Sequence, residues 1–277
     1  MKTRLTTDPS AFARMTTQEL RDTFLIDSLF PPGGIELVYW EADRTIIGSA
    51  VPTSTPIALE ASQKELAADF FLQRRELGIL NIGGAGSVKT DEATYPLAKL
   101  DSLYVGRGSK TVVFQSDSPS DPAKFYLVSY PAHSSYPATL IRPADANRVE
   151  LGEAASANRR TIFQQIHEGG ARSCQLVMGY TELATGSVWN TMPPHTHQRR
   201  SEVYLYFDIP DNQAVLHLMG PGQETRHLVV RSGQVVLSPI WSIHSGAGTA
   251  AYRFCWAMGG ENQRFDDMDG IPVAALK

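Results

Sequence analysis

Residues 189–207 read WNTMPPHTHQRRSEVYLYF, a polar turn with two prolines followed by a run of Val, Tyr, Leu and Phe. A short run of β-branched and aromatic residues next to turn-forming residues is typical of a β-strand. Comparable runs recur about every ten residues, among them IELVYW (35–40), KTVVFQS (110–116), KFYLVSY (124–130) and QVVLSP (234–239). The pattern predicts an all-β sandwich or barrel, because βαβ units would place longer helical segments between strands.

One helix is predicted near the start of the chain. Residues 16–19 (TTQE) precede LRDTFLI (20–26), in which Leu20, Phe24 and Ile26 are the apolar positions. Thr followed three residues later by Glu is typical of a helix N-terminus. We therefore expect an otherwise all-β fold with a few short helices.

Length and composition describe a globular chain without a charge bias. At ~100–200 residues per domain, the 277 residues make one large domain or two smaller ones. Hydrophobic residues are 42% and charged residues 19%, which excludes a disordered chain. The 25 Lys and Arg against 29 Asp and Glu give a net charge of -4, with no basic run. Nucleic acid is therefore not expected as a partner.

The two cysteines and the lengths of the apolar runs indicate the cellular location to expect. Cys174 and Cys255 each lie in an apolar stretch, where a reduced, buried thiol is the usual state, and we expect a cytoplasmic protein. No run reaches the ~18 apolar residues of a spanning helix, and MKTRLTTDPSAFARM at the start lacks the apolar core of a signal peptide. Neither a membrane span nor an export signal is expected.

An internal repeat indicates two tandem domains. QRREL (73–77) is echoed by QRRSEVY (198–204), and LYVGRGSKTVVF (103–114) by VLSPIWSIHSG (236–246), in the same order. The polar segment around 137–172 separates the two sets. We expect an N-terminal barrel over residues 1–145 and a C-terminal barrel over residues 146–277.

Five of the seven histidines fall within residues 195–244. His195 and His197, at i and i+2, share one face of a strand and can converge on one ion. A turn at residues 198–200 would let Glu202 point at the same ion, and His244 would join from a later strand. Three imidazoles and a carboxylate suit Zn²⁺, Mn²⁺, Fe²⁺ or Ni²⁺, and a site without cysteine ligands favours an open coordination position.

These residues carry a resemblance. His195-x-His197-x4-Glu202 and Pro239-x4-His244 resemble the two metal motifs of the cupin superfamily, except that Trp241 stands where the general pattern prefers Gly. Seven segments in order resemble the 5-keto-4-deoxyuronate isomerases of pectin breakdown. They are LRDTFLI (20–26), FFLQRRELGILNIGGAG (70–86), SANRRTI (156–162), WNTMPPHTHQRRSEVY (189–204), GPGQETRHLVV (220–230), SPIWSIHSGAGT (238–249) and GENQRFDDMD (260–269).

The resemblance implies a bicupin fold, one zinc ion per subunit, a homohexamer and a cytoplasmic location. Its metal ligands correspond to His195, His197, Glu202 and His244. Aligned by the internal repeat, the N-terminal half has Asp69, Phe71, Glu76 and Thr111 at these four positions. Three of the four ligands are therefore missing, and the N-terminal barrel is expected to be metal-free.

The resemblance also implies a reaction on a small uronate. 5-Dehydro-4-deoxy-D-glucuronate, also called 4-deoxy-L-threo-5-hexosulose uronate, would become 3-deoxy-D-glycero-2,5-hexodiulosonate by a metal-assisted aldose–ketose isomerisation. The hydrogen on C2 would move either as a proton through an enediolate or by a 1,2-hydride shift, and the sequence leaves both routes open. A non-haem metal dioxygenase is the alternative function, because the same ligands suit iron.

Further site residues are expected from residue chemistry. Candidate general bases are His227, Glu224 and Glu261, each of which would otherwise be a polar group at a strand end. His217 would either point into the barrel or be a hydrogen-bonded core histidine. A guanidinium pairs well with the substrate carboxylate, and the candidates for it are Arg160, Arg199 and Arg200.

Overall fold

The computed structural model describes residues 1–277 as a β-rich chain with three short α-helices. The second helix confirms the one expected from the sequence, because the side chains of Thr16 and Glu19 each accept a hydrogen bond from the other's backbone N–H. No helix is long and apolar enough to cross a bilayer. The α-helices are α1 (Pro9–Phe12), α2 (Thr17–Phe24) and α3 (Gln63–Leu66), and short 3-10 helices lie at Ala42–Arg44, Phe71–Gln73, Ala154–Ser156 and Val273–Ala275.

The strands account for most of the regular structure. In chain order they are β1 (Lys2–Arg4), β2 (Leu25–Ile26), β3 (Ile35–Trp40), β4 (Thr45–Ala50), β5 (Ile57–Ala58), β6 (Arg75–Asn81), β7 (Gly86–Thr90), β8 (Thr94–Leu97), β9 (Ser102–Val105), β10 (Val112–Ser116), β11 (Phe125–Pro131), β12 (Thr139–Ile141), β13 (Asn147–Leu151), β14 (Arg160–Ile166), β15 (Val177–Leu183), β16 (Trp189–Asn190), β17 (His195–Thr196), β18 (Arg200–Phe207), β19 (Val215–Gly220), β20 (Arg226–Val230), β21 (Gln234–Ser238), β22 (Ile243–Gly248), β23 (Arg253–Gly260) and β24 (Asp269–Gly270).

The first compact unit is a sandwich of two sheets. Its seven-stranded sheet has the order β1-β3-β4-β11-β6-β9-β12, and its four-stranded sheet has the order β5-β10-β7-β8. Leu77 and Ile79 of β6 share a buried core with Val88 and Phe114 of the four-stranded sheet. Because side chains alternate along a strand, Glu76 points to the opposite face of the seven-stranded sheet. The unit comprises Met1–Arg4, Leu29–Ala146 and Gln165–Val177.

The second compact unit repeats this arrangement. Its seven-stranded sheet has the order β13-β14-β15-β23-β18-β21-β2, its four-stranded sheet has the order β16-β22-β19-β20, and β17 pairs separately with β24. The rings of Tyr204 and Tyr206 on β18 approach His217 and His244 of the four-stranded sheet. Glu202, two residues before Tyr204, therefore also faces the space between the sheets. The unit comprises Leu5–Ser28, Asn147–Gln164 and Met178–Lys277.

The all-β prediction with a few short helices is confirmed, with one refinement. In each unit the two sheets share no hydrogen-bonded strand pair, so they form an open sandwich rather than a closed barrel. The strands that flank β6 in the first unit and β18 in the second follow one another in equivalent order, as the internal repeat in the sequence indicates.

The N-terminal segment 5–28 belongs with the second unit, although the sequence placed it in a domain of residues 1–145. Leu25 of β2 pairs with Val236 of β21. The rings of Phe12 and Phe24 lie 5.2 and 6.0 Å from the ring of Trp241. This packing covers Trp241, which stands where the general cupin pattern prefers Gly. It explains why segment 5–28 belongs with the second unit.

The segment Gln165–Val177 belongs with the first unit, although the sequence placed it in a domain of residues 146–277. The carboxylate of Glu76 accepts hydrogen bonds from the backbone N–H groups of Cys174, Gln175 and Leu176 at 2.6 to 2.8 Å. It also accepts a hydrogen bond from the Tyr104 hydroxyl at 2.8 Å. A buried carboxylate without these donors would be costly, which explains why the segment stays with the first unit.

Strand pairing corrects the register of the internal repeat by one residue. Leu77 pairs with Val105, as Glu202 pairs with Ser238 at the same point of the repeat. The backbone N–H of Ala132 donates to the carbonyl of Arg74 at 2.9 Å, and that of Glu261 donates to the carbonyl of Arg199 at 3.0 Å. The two QRR triplets, residues 73–75 and 198–200, are therefore equivalent. The residues at the positions of His195, His197 and Glu202 become Phe70, Leu72 and Leu77 in place of Asp69, Phe71 and Glu76, while Thr111 is aligned with His244 by the sequence repeat alone.

Candidate metal centre

Four side chains converge between the sheets of the second unit. His195 lies on β17, His197 follows it, Glu202 lies on β18 and His244 lies on β22. One ligand atom from each lies within 4.8 Å of the others. The Nε2 atom of His195 is 3.2 Å from Nε2 of His197 and 3.0 Å from Nε2 of His244. Oε2 of Glu202 is 3.0 Å from Nε2 of both His197 and His244. The structure thus brings together the four residues that the sequence singled out.

The donor atoms present lone pairs rather than protons to one another. Nδ1 of His197 lies 2.7 Å from the carbonyl oxygen of Asp267, which can only accept, so the imidazole proton is on Nδ1 and Nε2 is free. Nδ1 of His244 lies 3.1 Å from the hydroxyl of Ser238, which can accept the imidazole proton and so leave Nε2 free for a metal. Oε2 of Glu202 is buried and receives no hydrogen bond. Such a set is satisfied by a divalent cation bound among the four atoms.

The electrostatics of the cluster agree with metal binding. Burial, together with the neighbouring His197 and Arg200, lowers the pKa of His195 to about 3. Burial also lowers the pKa of His244 well below its usual range. Both imidazoles are therefore neutral at neutral pH, which is the state that ligates a metal. Cys174 and Cys255 are both free thiols and are not part of the cluster, so the donor set is nitrogen and oxygen only.

A cavity of about 240 Å³ opens onto the cluster. Its wall is mostly apolar, and its polar groups include Arg160, Thr191 and Tyr204 besides the cluster itself. An apolar cavity with a few convergent polar groups is the usual form of a small-molecule site. The lining residues are Leu151, Arg160, Ile162, Thr181, Thr191, Met192, Pro193, His195, His197, Glu202, Tyr204, Phe254, Trp256, Met258, Phe265 and Met268.

Of the three arginine candidates, only Arg160 lines this cavity. One of its nitrogens donates to the carbonyl of Asn158 at 2.8 Å, and burial lowers its pKa. Arg199 is instead committed to the carboxylates of Asp267 and Asp269. Arg199 therefore lies outside the cavity lining with its guanidinium already paired, and the structure does not support it as the group that binds the substrate carboxylate.

Arg200 also lies outside the cavity lining. It is 1% exposed, and its Nη2 donates to the carbonyl of Asp267 at 2.8 Å. The same carbonyl receives the proton of His197. Arg200 therefore holds the backbone that orients a candidate ligand, and the structure does not support it as the group that binds the substrate carboxylate.

The three candidate bases also lie outside the cavity lining. His227 pairs with Leu218 on the outer face of the four-stranded sheet and is exposed, whereas the neighbouring His217 faces inward. Glu224 and Glu261 are exposed as well. None of the three lines the cavity, because strand alternation or a turn directs each side chain to solvent.

His217 is a buried, hydrogen-bonded histidine, which was one of the two alternatives left open. Its Nδ1 lies 2.7 Å from the hydroxyl of Tyr206, and burial lowers its pKa to about 3. It is 0% exposed and does not line the cavity. Its contact with Tyr206 places it in the core of the second unit.

Several cavity residues were missed from the sequence. The ring of Tyr204 lies 5.2 Å from the ring of His244, and its hydroxyl lies near the carboxylate of Glu202. Burial and that carboxylate raise the pKa of Tyr204 well above its usual range, so the phenol stays protonated. Tyr204 lies two residues after Glu202 and so shares its face of the strand, and this spacing is the sequence signal that indicates a place at the cluster. Phe265 and Met268 come from the C-terminal segment, which no local pattern connects with the histidines.

Two tandem sandwiches, one of them with a buried histidine and glutamate centre, define a bicupin protein with a candidate metal site. Residues 32–271 match the model of the KduI/IolB family, and the chain belongs to this family. A relative from Formosa agariphila is named 4-deoxy-L-threo-5-hexosulose-uronate ketol-isomerase. It is 53% identical over 276 residues, which cover 100% of this chain and 98% of the relative.

Two further comparisons agree with this membership. A relative from Caldicellulosiruptor bescii with the same name is 50% identical over 277 residues, covering 100% of both chains. Among solved structures, an IolB-like protein from Salmonella typhimurium LT2 superposes with a TM-score of 0.74 at 15% identity. The match covers 90% of this chain and 96% of that one, and at this identity it shows the fold alone.

Proposed function

We propose that the chain is a ketol isomerase that converts 4-deoxy-L-threo-5-hexosulose uronate to 3-deoxy-D-glycero-2,5-hexodiulosonate in the breakdown of pectin-derived uronates. The observation that carries the proposal is the full-length similarity to isomerases of that name in a chain whose own cavity ends at a buried His/Glu cluster. The relatives' names do not favour the dioxygenase alternative.

The metal would be held by His195, His197, Glu202 and His244, and we propose Zn²⁺ as the ion, one per chain. Their nitrogen and oxygen donors suit it, and no thiolate is present to close the site. When bound, the ion supplies Lewis-acid polarisation of the substrate's C1 and C2 oxygens. Metal analysis of the purified protein tests the identity and the stoichiometry.

The chain's own residues would bind and orient the uronate. Arg160 uses one of its five guanidinium N–H donors on Asn158, which leaves others for a carboxylate. Tyr204, kept protonated by burial, is a hydrogen-bond donor next to the cluster. The aromatic wall formed by Phe254, Trp256 and Phe265 reduces the water around the reacting carbons.

The cavity lining favours the hydride route. Apart from the four cluster residues, it contains no carboxylate and no imidazole that could remove the C2 proton. We therefore expect the C2–H bond to break with its electron pair, which forms the new C1–H bond. The proton of the C2 hydroxyl is then transferred to the C1 oxygen, so that C2 becomes the ketone and C1 becomes CH₂OH.

An isomerisation in D₂O followed by NMR tests both the activity and the route. We expect the ketose product, formed equally well without O₂, with no deuterium on C1. Deuterium at C1 would contradict the hydride shift but not the isomerase. Absence of product with metal-loaded protein, or O₂ uptake coupled to substrate loss, would contradict the isomerase.

The first unit, we propose, binds no metal at the equivalent position. The residues there are Phe70, Leu72, Leu77 and Thr111, three of which have no donor atom on the side chain, and Leu77 lies in the hydrophobic core. Two zinc ions per chain in metal analysis would contradict this. Segment 5–28 lies with the second unit and Gln165–Val177 with the first. With these two changes, the domains of residues 1–145 and 146–277 would also differ in role, because only the second binds a metal.

A homohexamer and a cytoplasmic location complete the proposal. Both rest on the family resemblance of the seven sequence segments. Light scattering coupled to size-exclusion chromatography should give a mass six times that of the chain. Fractionation of cells expressing the untagged protein should recover it in the cytoplasmic fraction.

A further inference from the structure

The first unit has a cavity of about 310 Å³ with a strongly basic wall. Its charged residues are all cationic or titratable to a cation, and no carboxylate lines it. Apolar side chains, Phe71 and Pro131 among them, form much of the remaining wall. The basic residues are Arg44, Arg74, Arg75, Arg107 and His133.

Arg75 is the most buried of these arginines, at 7% exposed. Its guanidinium donates to the hydroxyl and the carbonyl of Ser129 at 3.1 and 2.8 Å, and to the carbonyl of Arg44 at 2.5 Å. Burial lowers its pKa to about 10, so the group is still protonated at neutral pH. Its hydrogen-bond partners are thus all neutral, and none of them is a carboxylate.

Arg74 and Arg107 are held in the same way. Arg74 donates to the carbonyls of Leu66 and Ala67 at 2.7 Å. Arg107 donates to the carbonyls of Gln73 and Ala132 at 3.2 Å. Backbone carbonyls orient each guanidinium toward a defined place, yet they supply no negative charge.

In the second unit, the arginine at the position equivalent to Arg74 is paired with carboxylates. Arg199, the equivalent of Arg74, donates through Nε to both carboxylate oxygens of Asp267 at 2.8 and 2.9 Å, and it also pairs with Asp269 at 3.2 Å. In the first unit no Asp or Glu lies in that place. One copy of the repeat therefore pairs this arginine with carboxylates, whereas Arg74 in the other copy has only carbonyl partners. Arg107 also lines a second cavity that contains Asp91 and Glu92.

We propose that this arginine cavity, defined by Arg44, Arg74, Arg75, Arg107 and His133, binds a small oxyanion, a carboxylate or a phosphate. Guanidinium groups pair with both in bidentate geometry. The volume is that of a small-molecule site at the lower end of the usual ~300–1,000 Å³ range. The apolar wall accommodates an organic remainder, which favours a small organic anion over a macromolecule.

Calorimetric titration of the metal-loaded full-length protein tests the site, with inorganic phosphate and succinate as separate probes at constant ionic strength. We expect saturable binding of at least one probe, and the tighter probe identifies the class of oxyanion. Arg74→Gln and Arg107→Gln should each weaken it at least about tenfold, because each removes a charge-assisted hydrogen bond. Lys89→Gln removes the same charge from an exposed position on β7 and should leave binding unchanged. Saturation by neither probe, or equal affinity in the arginine variants, would overturn the proposal.

Crystals of the wild-type protein, soaked in arsenate if phosphate binds more tightly or in bromosuccinate if succinate does, locate the anion independently of any variant. An anomalous peak between Arg74, Arg75 and Arg107 is the expected result. Peaks confined to the His/Glu cluster, or none at all, would contradict the proposal while leaving the isomerase assay untouched.

Discussion

His244 and His227 belong to the same four-stranded sheet, but they face opposite sides of it. His244 is 1% exposed and touches Glu202, whereas His227 is exposed and pairs across the sheet with Leu218. A histidine's chemistry is therefore decided by the face of the strand it occupies, since the residue type is the same in both positions.

His244→Ala should lose the metal while the chain remains folded. Even groups that only orient ligands contribute about 10–100-fold to metal affinity, so loss of a ligand should exceed that. Metal content after dialysis, with circular dichroism as the folding check, measures the effect. His227→Ala is the matched control and should keep both metal and activity; full metal retention in His244→Ala would exclude it as a ligand.

Arg160 is the cavity's only guanidinium. Arg160→Gln should lower kcat/KM about 10–100-fold, because a hydrogen bond to a charged group contributes about 1.5–3 kcal/mol. Arg160→Lys should recover part of the loss, since it keeps the charge without the bidentate geometry. The exposed Arg148 provides the control variant Arg148→Gln. Unchanged kinetics in Arg160→Gln would show that the substrate carboxylate lies elsewhere.

At the scale of elements, the C-terminal segment fixes the loop that carries two candidate ligands. β24 pairs with β17 through His195 and Gly270, and the N–H of Ile271 donates to the carbonyl of Pro194 at 2.9 Å. Asp267 joins the two through its ion pair with Arg199 and through its carbonyl next to His197. A segment about 70 residues away in sequence therefore sets the orientation of an imidazole.

Asp267→Ala should weaken metal affinity about 10–100-fold without unfolding the chain, because it releases the carbonyl that orients His197. Competition with a chromogenic chelator measures the affinity directly. Asp266→Ala removes a neighbouring carboxylate whose only ion pair is with exposed Arg264, and it should have no effect. Equal affinities in the two variants would show that the side chain of Asp267 does not hold the loop.

Glu76 anchors another long-range element, the segment Gln165–Val177. Glu76→Gln should lower the free energy of unfolding by about 1.5–3 kcal/mol, because an amide nitrogen would replace an oxygen that accepts hydrogen bonds. Urea denaturation measures the change, and the exposed Glu60→Gln is the control. Zinc content should be unchanged; a stoichiometric loss with intact folding would indicate that the first unit does bind metal.

At the scale of the whole molecule, two copies of one sandwich carry different ionisable groups at their polar sites. The second unit gathers a carboxylate and imidazoles suited to a cation, and the first gathers arginines suited to an anion. Duplication of a stable core allows this divergence, because the residues that fill the core are separate from those at its polar end.

Removal of the metal should lower the melting temperature of the whole chain. Ligand bound only by the folded state stabilises it by about 4 kcal/mol at a thousandfold excess over Kd. Scanning calorimetry with and without a chelator measures the shift, and restored zinc should reverse it. His244→Ala should show no response to the chelator. A shift of equal size in that variant would place the stabilising ion elsewhere.

The amino-acid sequence alone predicts the all-β class, the helix at Thr17–Phe24, the duplication and the four residues of the cluster. These follow from local patterns, because strand periodicity, capping residues and the i, i+2 spacing of His195 and His197 act over a few residues. The three-dimensional fold is needed to show which polar residues face the cavity and which segments belong to each unit. Glu76 and Glu202 look alike in sequence, yet a one-residue difference in register turns them to opposite faces of their sheets. Arg199 and Arg160 likewise differ in their partners. Arg199 pairs with the carboxylate of Asp267, which the C-terminal segment brings close to it, whereas Arg160 lines the cavity.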